Sequence, residues 1–266
     1  RDSVNVLGIR ALKTYTGAGH RGEDQSTAVW GDTRPWWLDD EDVAYPMYEE
    51  ALRLGINIVN SHKGLRLGVF DAEHIKPRDI PKAALDWPQI NFAIYHSAGE
   101  FLDELVEIKR NLDATPGFAN NLYAELGAIF ASNVISGEID QIGHLLGKLV
   151  NAFGPERILW GTDSIWYGTP QWQIDALKMF QMPRRLRDDF GYPEITEDIK
   201  ARIFGLNAAD LYGLDAGEIR CTIAEDPIAT VQASYDREAY RSLRTYGPKT
   251  RREFIQMNYS GKGPHV

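Results

Sequence analysis

The 266-residue sequence contains a single cysteine, Cys221. That excludes an internal disulfide framework and zinc sites built on several thiolates, and it fits a reducing compartment, so the cytoplasm is the expected setting. No run of about 18 apolar residues occurs, and no membrane span is expected. Cationic charge is also scarce: 29 Lys and Arg stand against 38 Asp and Glu, a net charge of -9. A nucleic-acid partner, which needs clustered Lys and Arg to neutralise phosphates, is therefore not expected. No Gly-x-Gly-x-x-Gly follows a strand, which argues against a dinucleotide-binding dehydrogenase. The chain opens on Arg-Asp-Ser, with neither Met nor an apolar leader, and so reads as processed or as part of a longer polypeptide.

What is present is ordinary globular material, 43% hydrophobic and 25% charged. The length suits one large α/β domain. Apolar runs at Ile9–Tyr15, Ile56–Ser61, Ile90–Tyr95, Leu122–Leu126 and Arg157–Trp160 read as short buried strands. Helical patterns fall between them at Asp42–Leu54, Ser97–Asn111, Glu138–Phe153 and Thr169–Phe180. Asp39, Asp40 and Ser97 are candidate N-caps, and Gly55 is a candidate helix stop. Strands alternating with helices imply right-handed βαβ units on a parallel sheet.

A polar residue follows each apolar run at its C-terminal end. His62, His96, Glu125 and Asp163 succeed one another at intervals of 34, 29 and 38 residues, each holding one βα unit. Functional groups of parallel-sheet proteins sit at that end of the strands. Alternation along each strand places His62 with Ile58 and Asn60, His96 with Phe92 and Ile94, and Asp163 with Leu159. Two imidazoles and a carboxylate are thus expected at one rim, a donor set suited to Zn²⁺, Mn²⁺ or Fe²⁺. Taken singly, a histidine at a strand end is more often a hydrogen-bonded structural group than a ligand, and Asp163 could cap a turn or the next helix. Residues 16–40, rich in Gly, Asp and Trp (Trp30, Trp36, Trp37) and containing His20, read as a substrate cover or as a surface insertion. His74, His144 and His265 read as surface or helix residues.

Arg157-Ile-Leu-Trp-Gly-Thr-Asp-Ser164 resembles the last-strand motif of the amidohydrolase-related family, which includes metal-dependent decarboxylases of aromatic acids. Ala93-Ile-Tyr-His-Ser97 resembles that family's sixth strand and Val59-Asn-Ser-His-Lys-Gly64 its fifth. Ile203-Phe-Gly-Leu-Asn-Ala-Ala-Asp-Leu-Tyr-Gly213 resembles its closing helix. The resemblance runs over roughly residues 5–215 and implies an α/β, (β/α)8 TIM barrel, of which this chain supplies about strands 4–8. It implies that His62 ligates a divalent metal, zinc first, with manganese or iron as alternatives. Asp163 would be a ligand that also takes a proton from the activated water, and His96 a second-metal ligand or a catalytic imidazole. Lys13 falls at the place of the fourth-strand lysine, carboxylated in some binuclear members. Binding of a substrate carboxylate, pairing with Glu125, and a structural ion pair are its other readings. Glu125 would bind substrate or neutralise Lys13. Tyr15, Lys63 and Trp166 are rim candidates for substrate.

The family's first-strand His-x-His occurs nowhere in this chain, so the first three strands are expected elsewhere, in the same polypeptide or in a separate chain. Residues 1–215 are expected to form the barrel portion and 216–266 an extension packing on it or on a neighbouring subunit, in a homo-oligomer. The function implied is metal-dependent hydrolysis of a small, aromatic or carboxylated substrate. Non-oxidative decarboxylation is the alternative within the family, and a non-catalytic barrel that binds a ligand or partner is the rival.

Overall fold

Fully buried parallel strands need apolar side chains on both faces, and the apolar runs of this sequence meet that need. The computed structural model describes residues 2–17, 34–66, 70–223 and 227. Its five strands are β1 (Leu12–Thr14), β2 (Ile58–His62), β3 (Asn91–Tyr95), β4 (Leu122–Glu125) and β5 (Ile158–Leu159). They lie in the sheet in the order β1-β2-β3-β4-β5. The pairs from β1 to β4 are parallel, with Leu12 beside Val59, Val59 beside Phe92 and Phe92 beside Leu122. Every residue of β2 and β4 is buried.

Helices lie between and after the strands: α1 (Ala44–Arg53), α2 (Ile80–Asp86), α3 (Leu102–Asp113), α4 (Ile129–Ser136), α5 (Ile139–Phe153) and α6 (Gln171–Met179), of which α2 and α4 were not among the expected helices. Asp40 accepts the amides of Asp42 and Val43, each at 3.0 Å, in the turn that leads into α1. Gly55, at φ 77°, follows the last turn of that helix and donates to Leu52 O. Ser97 departs from its expected role as a cap. It adopts a left-handed conformation, its hydroxyl donates to Glu125 O at 2.8 Å, and α3 begins only at Leu102.

Contacts divide the chain into two units: residues 1–129 with 148–158, and residues 130–147 with 159–266. The first holds β1 to β4. Its interior includes a buried ion pair, Lys63 Nζ to Asp79 Oδ2 at 2.6 Å, and the same oxygen accepts Leu38 N at 2.7 Å. Beside it, Trp37 lies between the His74 ring, stacked at 4.2 Å, and the Arg78 guanidinium at 4.0 Å. In the second unit the small residues Gly143 and Gly147 of α5 seat Leu186 and Tyr192, which a Cβ would displace. Trp160 packs edge-on to Phe130 and Phe204. The expected extension is described only over Ala216–Ile223, which is helical, and at residue 227. His20, Trp30, His265 and the remainder of the extension lie outside the described residues. No described helix is long and apolar enough to cross a membrane.

Candidate active site

Neighbouring residues in a parallel register share a face of the sheet. His62 pairs with Tyr95, and Asn60 with Ala93. His96, one residue beyond Tyr95, would continue the face of Phe92 and Ile94, away from His62. Strand alternation alone would therefore separate the two imidazoles. A backbone reversal brings them together. His96, Ser97 and Ala98 have φ 62°, 45° and 59°, followed by Gly99 at 52°. Three non-glycine residues in this region cost roughly 3–6 kcal/mol, at about 1–2 kcal/mol each.

The turn is held from β4. Glu125 Oε2 accepts His96 N at 3.0 Å, Glu125 Oε1 accepts Gly127 N at 2.8 Å, and Ser97 Oγ donates to Glu125 O. Hydrogen bonds to a carboxylate contribute about 1.5–3 kcal/mol each, enough to offset strain of that size. The turn also needs Gly64, at φ 78° after β2. A Cβ there would lie 1.7 Å from the Ala98 carbonyl oxygen.

The imidazoles end 3.0 Å apart, His96 Nε2 to His62 Nδ1, and both residues are buried. Their outer nitrogens face carbonyls: His96 Nδ1 meets Gly127 O at 2.9 Å, and His62 Nε2 meets Leu65 O at 2.9 Å. A carbonyl only accepts, so each outer nitrogen must carry a proton to make its bond. The inner nitrogens then both present lone pairs. These three contacts need three protons, and two neutral rings carry two. A third proton is disfavoured because burial, then the His96 imidazole and then Lys13 and Lys63, push His62 down to about 3; the Leu65 carbonyl only partly opposes them. A divalent cation accepts two lone pairs where a proton bridges one, and two imidazoles oriented by backbone carbonyls are a familiar ligand arrangement. The donor set therefore fits a metal. Among the described residues no group of three or more His, Cys, Asp and Glu is gathered at ligating distance.

Around the pair lie aromatic and cationic groups. Tyr15 stacks on His62 at 5.4 Å between centroids, and Phe70 meets it edge-on at 4.7 Å. Lys13 is exposed, with its Nζ 3.3 Å from the Tyr95 ring centroid and 5.1 Å from that of Tyr15. Lys13, Tyr15, His62, His96 and Glu125 are thus all near one end of β1 to β4. Lys63 is instead committed to Asp79 and to the carbonyl of His74 at 2.9 Å. Phe70, Tyr95 and Gly64 were not singled out by sequence reasoning. The signal for Gly64 was a glycine two residues past a strand end; Phe70 and Tyr95 gave none.

Asp163 and Trp166 belong to the second unit. Asp163 sits at φ 48° ahead of the one-turn helix Ser164–Tyr167, and its side chain makes no capping bond. Gln173 Nε2 holds the preceding carbonyl, Thr162 O, at 2.9 Å. Trp166 is 57% exposed.

Parallel strands in sequence order, with two buried imidazoles at their C-terminal ends, one closing β2 and one on the left-handed turn after β3, fit an α/β protein built of the βα units of a TIM barrel. The chain belongs to the amidohydrolase family, whose family model matches residues 9–214. No curated protein matches it. Among solved structures it is similar to an uncharacterised TIM-barrel protein of Bordetella bronchiseptica, with 19% identity and a TM-score of 0.47 over 80% of this chain and 60% of that one. It is similar also to 4-oxalomesaconate hydratase of Rhodopseudomonas palustris, with 16% identity and a TM-score of 0.48 over 87% and 63%. A third is an amidohydrolase of Burkholderia multivorans with bound zinc, with 14% identity and a TM-score of 0.42 over 80% and 76%. The chain thus spans about three fifths of the length of the first and second of these.

Proposed function

We propose that this chain carries part of the active site of a metal-dependent hydrolase acting on a small carboxylated or aromatic molecule through an activated water. The observation that carries the reading is the 3.0 Å approach of His62 Nδ1 to His96 Nε2 with each outer nitrogen facing a carbonyl, an arrangement that turns two lone pairs inward. His62 and His96 would hold a divalent ion, zinc first, with manganese or iron as alternatives. Such an ion supplies Lewis acidity and lowers the pKa of a water towards ~7.

The chain's own residues supply the rest. Burial keeps both imidazoles dry, and the carbonyl bonds fix the ring directions. Lys13, poised over Tyr95, would attract a substrate carboxylate, and the face of Tyr15 would receive an apolar ring. Asp163 would accept the proton of the attacking water, and Trp166 would contact substrate; for these two the support is the Gly161-Thr162-Asp163 motif and its strained backbone. The remainder of the barrel is the partner this reading requires, and a second copy of the chain is proposed as a further one. Decarboxylation of an aromatic acid would use the same groups, with an imidazole returning a proton to carbon.

The test is Zn²⁺ titration of chelator-stripped protein by calorimetry, alongside a panel of esters, lactones, amides and aromatic acids. One site per chain is expected, with His62→Asn and His96→Asn each weakening it at least tenfold. Unchanged affinity in both variants would refute the site. Release of carbon dioxide in place of hydrolysis would select the decarboxylase.

A further inference from the structure

We propose that Glu125 is the positioning residue of this site: by holding the amides of His96 and Gly127 it fixes the left-handed turn that aims His96 Nε2 at His62 Nδ1. The proposal rests on the reading that the two imidazoles share a divalent ion.

The sheet register sends His96 to the wrong face, so something must enforce the reversal. Glu125 is buried at the end of β4 and its carboxylate closes a ring of hydrogen bonds. Oε2 takes His96 N, Oε1 takes Gly127 N, and Gly127 O takes His96 Nδ1. One side chain thus sets the backbone of His96, and through Gly127 it sets the partner that orients the ring. Its main-chain oxygen anchors the next residue of the turn through Ser97 Oγ. Gly127 itself is part of the device, because a Cβ there would lie 2.6 Å from Glu125 Oε1. The carboxylate acts through the backbone of its neighbours, and its role is to decide which His96 nitrogen faces inward. That role replaces substrate contact as the reason for a buried acid at this strand end.

The test uses the full chain with ¹⁵N-labelled histidine, read by long-range proton–nitrogen NMR without metal, and then by Zn²⁺ titration. In the wild type His96 is expected to carry its proton at Nδ1 and His62 at Nε2. Glu125→Gln keeps the size but offers one oxygen to two amides. It should mix the His96 tautomers, leave those of His62 in place, and weaken Zn²⁺ binding by roughly 10–100-fold. Glu125→Asp should fall between. Leu122→Ala, on the same strand, should lower stability without moving the His96 signals. The proposal is overturned if Glu125→Gln keeps the wild-type tautomer and affinity, or if Leu122→Ala shifts both as far. Should Glu125→Gln not fold, Glu125→Asp and Ser97→Ala carry the same comparison, and unchanged His96 signals in both overturn it. A wild type that takes up no Zn²⁺ removes the metal reading, while the tautomer comparison still decides the role of Glu125.

Discussion

Removing the ammonium of Lys63 should destabilise the first unit severely, and removing its partner's charge as well should restore much of the loss. Lys63 Nζ and Asp79 Oδ2 are 2.6 Å apart with side chains 0% and 1% exposed. At an effective dielectric of about 20 their attraction is on the order of 6 kcal/mol. Burial has already pulled the Lys63 pKa down, against the opposing pull of Asp79, so most of that attraction offsets desolvation. Lys63→Met keeps the stem and deletes the charge. Asp79 is then left with Leu38 N as a donor to Oδ2, while its Oδ1 has no hydrogen-bond partner among the described residues. The His74 carbonyl loses one of its two donors, keeping the Thr16 hydroxyl at 2.8 Å. An uncompensated buried charge costs about 3–5 kcal/mol. The double variant Lys63→Met/Asp79→Asn keeps an acceptor for Leu38 N and carries no charge, so it should cost only about 1–2 kcal/mol. Urea unfolding followed by tryptophan fluorescence measures Lys63→Met, Asp79→Asn and the double variant, and amide exchange at Leu38 reports the local clamp. A loss below about 1 kcal/mol for Lys63→Met, or a double variant as damaged as the two singles combined, would refute the reasoning.

Acid should weaken the fold through His62. Its ordinary value is 6.5 and its folded value about 3, so below pH 6.5 the unfolded chain binds a proton that the folded chain refuses. Stability then falls as pH drops from about 6.5 towards 3, by about 2 kcal/mol at pH 5. Urea midpoints of the metal-free protein at pH 7.5 and 5.0 should show this slope, and His62→Asn should flatten it; an equally steep slope in the variant would sink the assignment. Two glycines of matching conformation separate strain from crowding. Gly55 and Gly64 have φ 77° and 78°, yet a Cβ at Gly55 meets nothing within 4 Å and one at Gly64 meets the Ala98 carbonyl. Gly55→Ala should cost about 1–2 kcal/mol and Gly64→Ala on the order of 3–4 kcal/mol with loss of Zn²⁺ binding. Equal costs by thermal denaturation would remove the packing argument.

The five strands and their order were legible in the sequence, because a strand buried on both faces must be a short apolar run, and helical periodicity resumes between such runs. The polar residue closing each run was legible for the same reason, since it interrupts hydrophobicity at a fixed place in every βα unit. Gly55 could be read as a helix stop from local backbone preference alone. Other features depend on partners distant in sequence. Period-2 alternation set His62 and His96 each on a strand face, but the register that relates those faces is a tertiary property. It places them on opposite sides until the left-handed turn reverses one. Lys63 and Glu125 looked alike in sequence, as charged residues at strand ends. Asp79, 16 residues further on, makes Lys63 a structural clamp, and two amides of the β3 and β4 turns make Glu125 a carboxylate bound to backbone. Sequence determined where chemistry-bearing side chains stand along the chain, because hydrophobic periodicity is local. Tertiary structure decided which of them face each other, because that depends on register, on strained turns and on which charges lose their water together.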